Sequence, residues 1–84
     1  MSEIIVYSRR GCHLCEDLIE ELLRLVRPYG VGLRVLDVDT RADWKESFGL
    51  RVPVVMADGE ELFCLRLDRA RFDAWVAREQ PKSV

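Results

Sequence analysis

Two cysteines three residues apart, in Cys12-His13-Leu14-Cys15, are the residues best placed to do chemistry. Such a pair can close into a disulfide and reopen, exchanging two electrons with another thiol pair. The reacting species is the thiolate. The motif stands where an apolar run gives way to a helical pattern, so Cys12 is expected at or just before the first helical residue. The first N–H groups of a helix have no intrahelical partner, and that end carries about +0.5 charge. This favours thiolate over thiol and lowers a cysteine pKa from about 8.5 into a range of roughly 3.5–7.5. Arg9, Arg10 and a protonated His13 act in the same direction. Glu16, one turn on and on the face of Cys12, opposes them, and Asp17 does so more weakly. The backbone and the arginines are expected to win modestly, leaving the thiolate in the upper part of that range.

The spacing also divides the labour. Cys12 should present an exposed sulfur and attack a substrate disulfide, forming a mixed disulfide. Cys15, three residues on and aligned with the apolar stripe, should resolve that intermediate and leave a Cys12–Cys15 disulfide. Two plainer readings compete: a chance spacing in a core helix, and half of a zinc site. Zinc takes about four ligands. The remaining donors are His13, Cys64 and carboxylates, with no second Cys-x-x-Cys and no His-x-x-x-His, so no metal ligand is assigned. A module sharing a metal or iron–sulfur cluster through Cys12 of two copies is the reading from another class.

Other residues weigh less. Cys64, between Phe63 and Leu65, reads as a small buried hydrophobe. His13 can tune Cys12 or shuttle a proton, against the plainer reading of a solvated side chain. Tyr7 reads as packing, and Trp44, Phe48, Phe72 and Trp75 as core. Asp37 and Asp39 are explained by a helix-entry turn.

The elements that must hold the dithiol follow from periodicity. Glu3 to Tyr7 is a short apolar strand, interrupted by Ser8 to Gly11. From Cys12, the residues Cys15, Leu18, Ile19, Leu22, Leu25 and Val26 fall on one helical stripe, ended by Pro28, Gly30 and Gly32. Leu33 to Val38 reads as a second strand. Thr40 and Asp43 suggest a capping box for a short helix carrying Trp44 and Phe48, with Gly49 as its C-cap. Val52 to Ala57 reads as a third strand, beginning at Pro53. Asp58-Gly59 predicts a hairpin into Glu60 to Leu67. Asp68 should cap a last helix buried through Phe72, Trp75 and Val76. The order βαβαββα predicts an α/β fold, a four-stranded mixed sheet covered by three helices. One domain over residues 1–80 and a short tail over 81–84 are expected.

The chain has 84 residues, room for one core. Hydrophobic residues make up 49% and charged residues 33%, a balance that excludes disorder. Thirteen basic and fifteen acidic residues give a net charge of -2, which argues against nucleic acid as a partner. No apolar stretch suits a membrane span, and Met1 to Arg10 does not read as a signal peptide. Three cysteines are too few, and odd in number, for a disulfide-stapled secreted fold, so a cytoplasmic location is expected.

Taken together, Tyr7-Ser8-Arg9-Arg10-Gly11-Cys12-His13-Leu14-Cys15, Arg51-Val52-Pro53-Val54 and the Asp58-Gly59 turn resemble the glutaredoxin-like branch of the thioredoxin fold, from about Glu3 to Val76. The resemblance implies a thiol–disulfide oxidoreductase serving cell redox homeostasis. It implies that Pro53 follows a cis peptide bond and faces the dithiol. It also implies that the backbone of Val52 pairs with an extended thiol substrate, as an added strand does. Arg9 matches a position where glutaredoxins commonly carry a lysine near the thiolate and the glutathione carboxylate. Three departures stand out. His13-Leu14 replaces the usual Pro-Tyr, and Arg51 replaces the usual threonine. Leu65-Arg66-Leu67-Asp68-Arg69 replaces a glycine pair and paired aspartates that bind glutathione, leaving Asp68 as the candidate there. The expected partner is a disulfide-containing protein or a low-molecular-weight thiol, with glutathione as a candidate co-substrate and no bound cofactor. A monomer acting away from nucleic acid and membranes is expected. A redox-inert thioredoxin-like interaction domain is the remaining rival.

Overall fold

The computed structural model describes residues 3–79, and the tail expected over 81–84 lies outside them. Strand β1 (Glu3–Ser8) buries Ile4, Val6 and Ser8 on one face and leaves Ile5 and Tyr7 half-buried on the other, the period-two alternation of a strand. Helix α1 (His13–Val26) buries Cys15, Leu18, Leu22 and Val26, the stripe expected of it. A single 3₁₀ turn over Arg27–Tyr29 closes that helix. Strand β2 (Gly32–Asp37) runs parallel to β1, with Ser8 opposite Asp37. A second 3₁₀ turn (Val38–Thr40) leads into helix α2 (Ala42–Phe48). Strand β3 (Val54–Ala57) runs antiparallel to β1, with Tyr7 opposite Val54. Asp58 and Gly59, at φ 53 and 80, turn the chain into β4 (Glu60–Cys64), the two-residue hairpin expected of Asp-Gly. Helix α3 (Arg69–Glu79) completes the expected order. The strands lie β2-β1-β3-β4.

One face of the sheet carries the core. Ile4, Val6, Val55 and Ala57 pack there with Leu18, Leu22 and Val26 of α1 and with Phe72, Trp75 and Val76 of α3. The opposite face carries α2. Trp44 and Phe48, expected in the core, are only half-buried. They sit against Tyr7 instead, at ring-centroid distances of 5.4 Å (edge-on) and 4.3 Å (stacked). A seven-residue helix buries none of its side chains fully and covers the sheet with two aromatic rings.

Three local expectations need correction. The Thr40–Asp43 capping box does not form. Arg41 occupies the N-cap with no side-chain cap, Thr40 Oγ1 donates to Asp37 O at 2.6 Å, and Asp43 accepts from the Arg41 guanidinium. Gly49 does end α2, but in right-handed geometry. Its small size serves close approach, because a Cβ there would run into the Lys45 carbonyl and the Arg9 guanidinium. Strand β4 stops at Cys64 rather than Leu67, because β3 begins only at Val54, the partner of Cys64. Cys64 is half-buried, not buried.

This topology collects loops at one end. The carboxyl ends of β1, β2 and β4 and the start of β3 lie together there. The antiparallel register of β1 and β3, continued one step beyond Tyr7 and Val54, sets Pro53 beside Ser8, four residues before Cys12.

Candidate active site

The chain leaves β1 through Arg9–Gly11, where Gly11 takes φ +76, a left-handed conformation that glycine adopts without cost. Cys12 N–H donates to Arg9 O at 3.2 Å, closing this turn. Cys12 is then the N-cap of α1, in extended conformation. Its carbonyl accepts the first helical hydrogen bond, from Glu16 N–H at 3.0 Å. Its sulfur accepts from the N–H of Cys15 at 3.2 Å, where a capping serine would offer its oxygen. The structure thus places Cys12 where the sequence does. It is partly exposed, while Cys15 is 1% exposed beneath the first turn. The two sulfurs are joined as a disulfide, with Cα atoms 5.2 Å apart.

The flanking charges are arranged less simply. Arg9 donates to both carboxylate oxygens of Asp39, at 3.0 and 3.1 Å, and to the carbonyl of Gly49 at 3.1 Å. It therefore ties the loop before Cys12 to the connections on either side of α2. The guanidinium holds the Asp39 carboxyl below its ordinary value of 3.8, chiefly through these hydrogen bonds, with a small further pull from Lys45. Arg10 is exposed and makes no ion pair among the described residues. His13 is exposed, with Nδ1 3.7 Å from a carboxylate oxygen of Glu16.

The Val52–Pro53 peptide bond is cis, as the resemblance implies, and Pro53 is buried. Val52 is half-buried, and among the described residues its backbone N–H and C=O have no protein partner. Pro53 O accepts from Leu65 N–H at 2.8 Å, which fastens the chain after β4 to this segment. Asp68 caps α3, accepting from Arg71 N–H at 3.0 Å. Arg51 pairs with Glu61 at 2.6 Å, and that carboxylate raises the guanidinium pKa above its ordinary value. Among the described residues, no three His, Cys, Asp or Glu side chains converge to hold a metal ion.

A strand–turn–helix with an N-capping cysteine, its disulfide partner one turn deeper and a cis proline at the same sheet end agrees with the family comparison. The sequence profile of the Glutaredoxin-like domain (DUF836) matches residues 3–77. The chain belongs to this glutaredoxin-like family. Uncharacterized protein Rv0508 of Mycobacterium tuberculosis (strain ATCC 25618 / H37Rv) is 32% identical over 81 residues, covering 90% of this chain and 84% of its own. The solution structure of protein Ne2328 from Nitrosomonas europaea superposes with a TM-score of 0.81 at 33% identity, covering 88% of this chain and 89% of that one. Thioredoxin 1 from Thermosipho africanus shares the fold, with a TM-score of 0.63 at 11% identity over 93% of this chain and 98% of its own. The α/β fold of this glutaredoxin-like chain is therefore thioredoxin-like.

Two features of the glutaredoxin-like site escaped the sequence. Asp39 lies thirty residues from Arg9, so no local pattern announces the pair. The side chains of Leu14, between the two cysteines, and of Leu65, after β4, line one groove with 52% and 45% exposure. The missing glycine pair marked the second place but not its geometry.

Proposed function

We propose that this glutaredoxin-like chain is a thiol–disulfide oxidoreductase. The observation that carries the reading is the Cys12 sulfur at the α1 N-terminus, accepting from Cys15 N–H with the resolving sulfur in reach. In the reduced form that N–H and the helix end would stabilise a Cys12 thiolate. The thiolate attacks one sulfur of a substrate disulfide, that S–S bond breaks, and the other substrate sulfur leaves and takes up a proton. Cys15 then loses its proton and attacks the Cys12 sulfur of the mixed disulfide, expelling the second substrate thiol. The substrate gains two electrons and two protons, and the enzyme is left as the Cys12–Cys15 disulfide. A low-molecular-weight thiol or dithiol restores the dithiol by the same exchange.

In this reading Val52 offers its free backbone groups to an extended substrate, and Pro53 shapes the groove. Arg9 and Arg10 bring positive charge to the loop before Cys12, Arg9 while also clasping Asp39, and His13 adds its own when protonated. Asp68 lies at the edge where a substrate's polar groups arrive. A cytoplasmic monomer, with glutathione or a protein thiol as co-substrate and no resident cofactor, completes the proposal. No described helix is long and apolar enough to cross a membrane.

Turnover of 2-hydroxyethyl disulfide, with dithiothreitol or glutathione as donor, tests the reading. Cys12→Ser should lose all turnover, and Cys15→Ser should accumulate a mixed disulfide visible by mass spectrometry. Full activity of Cys12→Ser would overturn the mechanism.

A further inference from the structure

Beside the dithiol, between α1 and the chain that follows β4, runs a groove of about 410 Å³. Its apolar surface comes from Leu14, Leu18, Leu65 and Leu67. Leu18 belongs to the core and Leu67 packs against it, whereas Leu14 and Leu65 stand half out of the surface. Leu14 lies between the two cysteines in the chain, so one end of the groove adjoins the Cys-x-x-Cys turn.

Leu65 is held there at conformational cost. Its φ is +69, and Arg66 N–H donates to Cys64 O at 2.7 Å around it, a three-residue turn. A bulky residue with positive φ is a backbone outlier, and such strain persists where the surroundings enforce it. Here the Leu65 N–H is fixed on Pro53 O. The turn presents an exposed leucine at a position glycine would fill without strain.

The charges lining the groove are Asp17, Glu21 and Arg66, and none of them makes an ion pair among the described residues. Asp17 and Glu21 are four apart on α1, a like-charge spacing that destabilises a helix unless a cation relieves it. The groove is apolar along its length and net negative in its charged lining.

Resting on the dithiol reading above, we infer that this groove selects a segment of a partner protein whose reacting cysteine is flanked by a bulky apolar residue and then by lysine or arginine. The apolar side chain fills the space between Leu14 and Leu65, and the cation meets Asp17 and Glu21. Glutathione has no bulky apolar side chain, and its two carboxylates outweigh its single ammonium, so it fits this lining poorly.

The test uses two five-residue peptides, Lys-Leu-Cys-Leu-Lys and Glu-Ala-Cys-Ala-Glu, each as its mixed disulfide with thionitrobenzoate. Thionitrobenzoate released by the reduced full-length chain is measured, and each rate is divided by that with free dithiothreitol. The Leu/Lys peptide is expected to react about tenfold faster, the scale of burying one leucine side chain. Leu14→Ala, and separately Asp17→Asn with Glu21→Gln, should each bring this ratio down severalfold. The ratio between peptides is the readout, so a variant with reduced overall activity still reports. Equal rates for the two peptides, alongside good turnover of 2-hydroxyethyl disulfide, would overturn the groove assignment and leave the dithiol reading standing. So would a glutathione mixed disulfide that outpaces the Leu/Lys peptide, or dimerisation abolished by Leu14→Ala. No exchange with any disulfide would remove both.

Discussion

Arg9 clasps Asp39 through two near-parallel hydrogen bonds of 3.0 and 3.1 Å, joining the loop that carries Cys12 to the turn after β2. The pair lowers the Asp39 pKa from 3.8. A carboxyl with a folded pKa below its unfolded one contributes stability above the unfolded value and loses it as pH falls through the folded value. The clasp should therefore act fully at neutral pH and fade only below about pH 4. NMR titration should find Asp39 below 3.8 in the wild type and higher in Arg9→Met than in the wild type. Acid unfolding should show less pH dependence in that variant over the same window. An unchanged Asp39 titration in Arg9→Met would remove the clasp as its cause.

How much of this was legible beforehand differs from residue to residue. The N-capping place of Cys12, the stripe through Leu18 and Leu22 and the Asp58-Gly59 hairpin are set by local spacing, and each is found. The face taken by Trp44 and Phe48 was not readable, because two aromatics four apart fit either side of a sheet. Tyr7, distant in sequence, decides it by stacking on Phe48. The capping box failed for a related reason, since Asp43 found Arg41 and Thr40 found Asp37 O. Several local partners competed for one side chain, and a spacing rule names only one of them. Of the site, the sulfurs were legible and the groove was not, since it depends on the backbone sign of Leu65.

The buried stripe of α1 can be checked by neighbours. Leu22 is 0% exposed and Leu23 is 47% exposed. Truncating a fully buried leucine removes its transfer free energy and leaves a cavity, about 2–5 kcal/mol in all. Leu22→Ala should fall in that range by urea denaturation, while Leu23→Ala should cost under about 1 kcal/mol. Similar losses for the two variants would mean that the helix is rotated from the face described.

The hairpin is tied to the last helix by Trp75 Nε1, which donates to Asp58 Oδ2 at 3.2 Å. Trp75 is 1% exposed, so its N–H has little access to water, and losing the acceptor leaves it unsatisfied at a cost of about 1–3 kcal/mol. Asp58 also holds φ 53, a conformation aspartate and asparagine tolerate better than alanine. Asp58→Ala should therefore destabilise by about 2 kcal/mol or more, and Asp58→Asn by clearly less, as asparagine keeps both an acceptor and the turn preference. Equal losses would assign the effect to charge alone.

The decisive measurement concerns the reduced protein. Cys12 caps α1 with its sulfur, and a thiolate accepts hydrogen bonds more strongly than a thiol, so the geometry favours the charged form. Glu16, in the first turn, opposes this with a largely exposed carboxylate, which water screens. Iodoacetamide alkylation followed against pH in Cys15→Ser should give a midpoint below the roughly 8.5 of free cysteine. Glu16→Gln should move the midpoint further down, by a fraction of a unit, because it removes the opposing charge. Moving Cys12 off the cap, by inserting one glycine after Gly11, should return it towards 8.5, the ordinary thiol value. A midpoint at or above that value in Cys15→Ser would mean that the helix end does not activate this sulfur, and the proposed attack by Cys12 would lose its physical basis.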